Sequence, residues 1–581
     1  MLNASPLNAV PLNGVAGSSA EPEYIVRGQS FVWALRVLVG GVDLTAQLTG
    51  TVTVDREEGA AGIAGFDLYI APGTPVVPPD WKGQTVTIDY ISTRQGETTE
   101  ARSYTGQISR ADWNPVNRVL SCECSDQLQQ RVEGMSIEAI NALVGGSWSE
   151  DLFEPVEGRS HWDYAQERLS TRPVSLDCSA NGVLRVSSWY AGSPNFVFGP
   201  GTTFYQRIEL QQSDLDAATN RVEIEFSYRY QRLWQLNEPY TWTHVNAGGG
   251  ISGFCNWRTW STDLPSTEMI ADSVSGSGQQ LLGGVGGYKL PLSMANPCGD
   301  GNGWVNTFDN LWLSAQFTGA RRWVQTVTES YKLVLATAAG EAEQSSIVQR
   351  AGYTLPVERD IAESWGSDPI RDGGTGSQDL SDESRRGNAL ATALRIGQVQ
   401  IIGAHRETTL TWEVPSSMAM GIDLSHTLEL NDQGAHARGK CRRIVHQFDL
   451  GSGEAITSLS IAVMRGGGVS DPLAVPASPD TSLPPFTSSI QLLLGTQLGL
   501  LGTQLGGRQV DPYTGFAIGP YDEDRLGYSG NYDANDNMPA EIYPRRFLIE
   551  SREIGAEYRD ERTGTTEALY RVGIPNDLLE L

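Results

Sequence analysis

The sequence predicts a mainly β protein with α+β parts, on three observations. Short runs of alternating apolar and polar residues recur between turn residues from Tyr24 to about Val144, and again beyond Arg406. Glycine (64) and proline (29) are frequent enough to favour short strands and many turns over long helices. Helix signals are few: "DQLQQRVEGM" with Ser125 or Asp126 as cap, "HWDYAQERLSTR", and "SDESRRGNALATALRIGQ" starting near Ser381. At 581 residues the chain exceeds one core and divides into several units.

Residues 1–23 repeat Leu-Asn at a spacing of five (Leu2-Asn3, Leu7-Asn8, Leu12-Asn13), and Pro6 and Pro11 rule out a helix. An extended arm lying on a neighbour is expected. Residues 24–147 hold six strand-like runs, from "YIVRGQSFVWALRVLVG" to "RVLSCECS", closed by a helix that Gly134 ends, and suggest a first small β-barrel. Residues 148–199 read as a small α+β domain, a helix and then a hairpin turning at Asn181-Gly182. Residues 200–470 read as a second barrel. Its long strand 220–234 meets its natural partner, 323–337, almost ninety residues later, so 235–322 reads as a Trp/Gly-rich insert in a hairpin. Residues 471–581 give a Pro-rich linker and a polar C-terminal region carrying the tandem repeat "LLGTQLGLLGTQLGG".

The formal charge of −27 argues against a surface that grips nucleic acid, because phosphate binding needs clustered Lys and Arg. An acidic wall would instead keep DNA from sticking in a channel. The N-terminus has no basic segment followed by an apolar run, so no secretory signal is expected. Six scattered cysteines form neither a disulfide framework nor a zinc spacing, and cytoplasmic synthesis is expected.

The run from Gly421 to Val463 resembles the closing barrel of phage baseplate hub proteins, a family that includes the contractile-tail hub and the late control protein D group. Val445, His446, Asp449, Gly453 and Thr457 occupy the places of that family's strand ending in Val-x-His, its turn and its Thr-rich strand. "YTGQISRADWN" and "LSCECSDQLQQRVEG" are similar to the end of the family's first barrel. The resemblance covers roughly 24–235 and 320–470 and rests mainly on domain order. It implies a structural virion protein: a homotrimeric tail-tip hub whose six barrels close the tail tube and open to release the tape measure protein and DNA. It also implies a distal tail protein and other baseplate proteins as partners, with assembly in the host cytoplasm.

No catalytic, cofactor-binding or metal-ligating set emerges, and no enzyme is expected. His426, His436 and His446 lie ten apart, but folding the hairpin about "NDQG" puts His426 near Gly439, so they read as structural. Acidic residues in "SEDLFEPVEGRSH" are the weak basis for a cell-wall hydrolase. A stronger alternative is a receptor-binding protein: seven of the 15 tryptophans fall between 234 and 323, with Trp242, Trp257, Trp260 and Trp304 as candidate glycan contacts. Core packing in a segment poor in aliphatics explains the same tryptophans.

In the tandem repeat, Leu494, Leu498, Leu501 and Leu505 follow an a/d spacing, and Gly495, Gly499, Gly502 and Gly506 sit one position on. A helix from Phe486 to Gly507 would be about 33 Å long, close to a bilayer's hydrocarbon thickness. The expectation is a candidate plug of the tube, or a segment that enters the host membrane. A surface-packed Gly-Leu segment is the alternative.

Overall fold

The computed structural model describes residues 23–25, 32–94, 96–212, 218–243, 266–296, 299, 301, 303–304, 309–341, 348–357, 376–484, 497–498, 509–510, 517–518 and 554–581. The protein is mainly β. Strands β1 (Glu23–Ile25), β2 (Val32–Val39), β3 (Val42–Asp43), β4 (Leu48–Glu57), β5 (Ile63–Tyr69), β6 (Thr85–Arg94), β7 (Glu97–Asn114) and β8 (Val119–Ser125) open the chain. From β2 to β8 they pair in the order β4-β5-β8-β7-β6-β2-β3, antiparallel throughout. Alternation turns Val37, Val54, Phe66, Ile88 and Cys122 to one face, and all join one core. Strands β2, β4, β5, β6, β7 and β8 all feed that core and no α-helix contributes to it, so the sheet is rolled on itself. The ladder does not close, since β2 and β4 share no pairing among the described residues.

Helices α1 (Leu128–Glu133), α2 (Ile137–Val144) and α3 (His161–Leu169) pack with β9 (Val174–Cys178) and β10 (Leu184–Ser188) around Leu128, Val132, Ile140, Tyr164 and Leu176. The helix expected to close the first barrel, α1, thus sits in the core of the α+β unit. Helix α2 was not expected. Gly134 does end α1, but Ser136 immediately restarts the chain as an N-cap, its hydroxyl accepting from Ala139 N at 3.3 Å. The β9–β10 hairpin turns at the expected place, with a wider loop: Cys178 lies opposite Leu184, and Gly182 takes φ +73°.

After β11 (Phe196–Phe198) and β12 (Ile208–Gln211) come β13 (Arg221–Thr243), α4 (Thr267–Gly276), β14 (Gln280–Lys289), β15 (Trp312–Ala336), α5 (Ala338–Glu341), β16 (Val348–Pro356), β17 (Gly376–Asp379) and α6 (Glu383–Ala404). Strands β13 and β15 pair along their length, from Arg221 opposite Ala336 to Thr243 opposite Ser314. This hairpin is not part of the second barrel, as the sequence reading had placed it. It forms the centre of a separate seven-stranded sheet. The first half of β13 buries its even-numbered side chains, Ile224 and Phe226 among them, and β15 its odd-numbered ones, Leu333 and Leu335 among them, in one core with Leu390 and Leu394 of α6, whereas Arg221, Glu223 and Glu225 face the other way. A strand with one polar face needs a single covering layer, and α6 supplies it. Gly397 permits the contact, since a Cβ there would meet Leu335 at 3.0 Å.

The second roll runs β12-β18-β21-β20-β19-β11, with β18 (Thr409–Pro415), β19 (Thr427–Asp432), β20 (Ala435–Asp449) and β21 (Glu454–Ala462). Trp412, Leu428, Ile444 and Leu459 lie in its core. Short strands β22 (Gln497–Leu498), β23 (Gln509–Val510) and β24 (Ala517–Ile518) precede α7 (Ala556–Arg559), β25 (Arg562–Arg571) and β26 (Leu579–Glu580). Strand β25 joins the hairpin sheet beside β15, and β26 pairs with β20, so the C-terminal region returns to both sheets. The expected linker at 471–484 is a strap held to that sheet. Tyr570 Oη donates to Ala474 O at 2.7 Å, Arg232 Nη1 to Thr481 O at 2.8 Å, and Arg386 to Ser478 Oγ.

Candidate functional site: the junction of the two rolls

Strand β20 carries two ladders in succession. Its first half pairs with β19, and its second half, Arg443–Asp449, pairs with β4 from Glu57 to Thr51. The two rolls are therefore one continuous sheet. The β20–β21 hairpin reaches into the first roll, where Phe448 is fully buried in that roll's core. Phe448 stacks on Tyr90 at 5.4 Å and on His446 at 5.7 Å, and Trp33 lies 6.0 Å away. The indole of Trp33 donates to Gly453 O at 2.9 Å, so the hairpin tip sits against the open side of the roll. His446 Nδ1 lies 2.8 Å from Thr457 Oγ1, and burial, helped by the Arg56 charge, holds its pKa down to about 3. The ring is neutral near pH 7 and serves packing. His426 Nδ1 accepts from Asp423 N at 3.0 Å, and His426 O accepts from Cys441 N, two residues from the expected Gly439. His436 lies 3.3 Å from Glu429.

Beneath this joint the α+β unit meets both rolls in an ion cluster. Asp423, in the loop before β19, accepts from Arg56 of β4 at 2.5 Å and from Arg185 of β10 at 2.7 and 2.9 Å. Arg185 also holds Asp177 of β9 at 2.9 Å, and Arg56 reaches the Cys178 carbonyl at 2.9 Å. Burial pushes the Asp423 carboxyl up, but the Arg185 and Arg56 guanidiniums outweigh it and bring its pKa to about 2. Burial raises Asp177 in spite of Arg185. A second pair, Arg406 with Glu58 at 2.6 Å, lies under Trp189, whose ring centre is 4.8 Å from the guanidinium. Buried pairs of this kind add little net stability, yet are costly to break one-sidedly, so they fix how units sit together. No sequence signal could have found them, since Arg56 and Asp423 are 367 positions apart.

A second feature lies midway along the long hairpin. Trp234 and Trp323, a cross-strand pair, stack at 6.1 Å, and Tyr558 meets Trp234 edge-on at 5.2 Å. Trp323 Nε1 donates to Tyr558 O at 2.9 Å, Gln325 Nε2 to Glu557 O and Asp560 O, and Tyr558 Oη to Pro484 O at 3.2 Å. Leu483 and Ile554 pack on the same tryptophans. The chain thus leaves this point after Pro484 and returns to it at Ile554. Between lies the tandem repeat, of which Gln497–Leu498 pair in parallel with Thr241–Trp242 in extended form. Leu494, Gly495, Gly499, Leu501, Gly502, Leu505 and Gly506 lie outside the described residues, as do residues 1–22 of the arm, Trp257 and Trp260. No helix among the described residues is long and apolar enough to cross a membrane.

Trp242 lies on β13 opposite Ala315. Trp304 is half-buried, donates to Pro291 O at 2.8 Å and packs on the core around Ile270 and Phe317. Trp312 is buried there and donates to Thr267 Oγ1. Of the acidic run at 149–161, Asp151 is ion-paired with Arg385 at 2.5 Å.

No protein-family model matches the chain, and no curated protein matches it. Among solved structures, it is similar to the tail protein from Neisseria meningitidis MC58 (11% identity, TM-score 0.35, covering 74% of this chain and 96% of that one). It is also similar to the 43 kDa tail protein of prophage MuSo2 from Shewanella oneidensis (11% identity, TM-score 0.35, 74% and 98%). A third is the Francisella PdpA-VgrG complex in its half-lidded form (8% identity, TM-score 0.31, 75% and 58%).

Proposed function

We propose that the chain is a structural virion protein of a phage or prophage tail: a homotrimeric hub at the tail tip that closes the tube and opens for the tape measure protein and DNA. The observation that carries this reading is the architecture itself. One chain holds two rolled sheets whose five strands match in order and direction, β4-β5-β8-β7-β6 and β12-β18-β21-β20-β19, welded through β20 and β4. Three such chains supply six similar rolls, the count needed to match a six-fold tube to a three-fold tip. Val445, His446, Asp449, Gly453 and Thr457, on which the hub resemblance rests, lie on β20, β21 and their turn, the hairpin that makes the weld. The net charge of −27 suits a conduit to which DNA does not adhere. In this reading the segment leaving the Trp234–Trp323 clamp, with Leu494 to Gly506, is the plug, and the N-terminal arm lies on a neighbour. The deciding experiment is the mass of the full chain, in solution and in assembled tails. Three copies are expected, and a monomer inside the particle would end the hub reading.

A further inference from the structure

The two rolls match in detail around their long hairpins. In the second, a bulge falls between Cys441 and Arg443, and Cys441 N donates to the preceding loop at His426 O. In the first, the bulge falls between Ile108 and Arg110, and Ile108 N donates to Gln84 O. Setting Cys441 on Ile108 also sets buried Ile444 on Ala111 and buried Leu459 on Cys122. The turns are built alike, although the second hairpin is two residues longer on each strand: Asp449 Oδ1 accepts from Gly451 and Ser452 N, Asn114 Oδ1 from Val116 and Asn117 N, and the fourth residue past each, Gly453 and Arg118, has positive φ.

The match exposes a difference in what the strand edges do. Beyond its bulge, β20 pairs with β21 on one edge and β4 on the other. Beyond its bulge, β7 pairs with β8, and its other edge has no strand among the described residues. Likewise β4 lies between β5 and β20, whereas its counterpart β12 has only β18. The first roll lacks a strand where the second has β4, and the second lacks one where the first has β20. Within one chain these open edges are separated by β18, β21, β20, β4, β5 and β8, so they do not meet.

We propose that they meet between copies: the Arg110–Asn114 edge of β7 in one chain adds antiparallel to β12 of the next, repeating head to tail the joint that β20 and β4 make inside the chain. Carrying the β20–β4 register across places Asn114 opposite Glu209 and Asp112 opposite Gln211. It also lays the 115–118 turn beside the loop before β12, just as Leu450 N donates to Gly50 O inside the chain. That brings together Val116 and Tyr205, 87% and 81% exposed in the isolated chain. The receiving loop is already rigid: the Asp432 carboxylate accepts from Gly201 N at 2.8 Å and Thr203 N at 3.0 Å, and Gln433 Nε2 donates to Phe204 O. A head-to-tail contact closes into a ring or runs on as a filament. That it stops at three copies rests on the hub reading, whereas the edge pairing rests on the duplicated hairpins.

The test uses the full chain with Cys255 and Cys298 replaced by Ser, carrying Asp112→Cys and Gln211→Cys together. Oxidation should give covalent multimers in denaturing gels, ending at three chains, and neither single variant should do so. Multimers continuing past three would uphold the edge pairing and overturn the trimeric hub. A chain trimeric by mass that gives no cross-link would overturn the edge pairing and leave the hub standing. A monomer without cross-links would overturn both. A companion variant, Asn114→Asp, keeps the turn, because Asp449 does the same work in the other hairpin. It should weaken self-association about fivefold by facing Glu209, and Glu209→Lys should restore it. An unchanged association constant in Asn114→Asp would again overturn the pairing.

Discussion

Replacing Asp423 with Asn tests whether the ion cluster holds the α+β unit and the two rolls together. The carboxylate accepts from Arg56 (4% exposed) and Arg185 (22% exposed) and is itself 17% exposed. The neutral amide leaves two guanidiniums facing each other with little water. Breaking one side of a buried pair costs about 3–5 kcal/mol, and partial exposure of Arg185 argues for the lower end. Titration gives a separate figure: a carboxyl with pKa about 2 instead of 3.8 corresponds to about 2.5 kcal/mol. Both point to about 3 kcal/mol at neutral pH, or roughly 100-fold faster opening of the junction. Hydrogen exchange of peptides covering Arg56 and Asp423 reads that directly. The sign follows from a depressed carboxyl pKa: the stabilisation is present above 3.8 and is lost as pH falls through 2. The gap between parent and Asp423→Asn should therefore close in acid, as followed by calorimetry. A gap below 0.5 kcal/mol at pH 7 (about twofold in exchange), or one that persists unchanged at pH 2, would refute the reasoning.

Phe448→Ala should cost about 3–4 kcal/mol and loosen the hairpin from the first roll, with more proteolysis near Gly453 as the readout. His446, neutral when folded with pKa about 3, should make acid destabilising: its contribution is full above 6.5 and declines as pH falls toward 3, and His446→Phe should flatten that part of the profile. The buried thiols of Cys122, Cys178 and Cys441, each pushed up to about 12, should resist iodoacetamide at pH 8 until the chain unfolds. Replacing Gly499 and Gly502 with Val should block infection or make particles leak while leaving assembly intact; full infectivity would remove any special role for the repeat.

The alternating runs gave away nearly every strand of the rolls, because one buried face imposes a period of two on the sequence. The partnership of β13 with β15 was legible for the same reason, across the insert. The assignment of that hairpin to the second barrel failed because alternation says which face is buried and not what covers it. Here the cover is α6, which the sequence also announced, but as a neighbour of the barrel strands. The strap at 471–484 was hidden by its own composition: prolines and serines read as a linker, while the groups that hold it, Arg232 and Tyr570, lie far away in the chain. The junction was illegible for a like reason. Its strongest contacts join residues hundreds of positions apart, and the edge left open on β7 becomes visible only when the two rolls are compared strand by strand.

The weld between β20 and β4 also has a mechanical meaning. Seven consecutive residues, Arg443–Asp449, are registered against Glu57–Thr51 with strands antiparallel. A pull along the strand direction loads all the rungs at once, so none can fail before its neighbours. A pull across them would open the rungs one by one from an end, and one end is guarded by the Trp33–Gly453 hydrogen bond and the stacked ring of Phe448. Sliding by a single residue is barred too, because it would turn Phe448 out of the core and His446 into solvent. The two rolls therefore move as one stiff body, and in the proposed hub any opening would fall at contacts between chains and not at the joint within each.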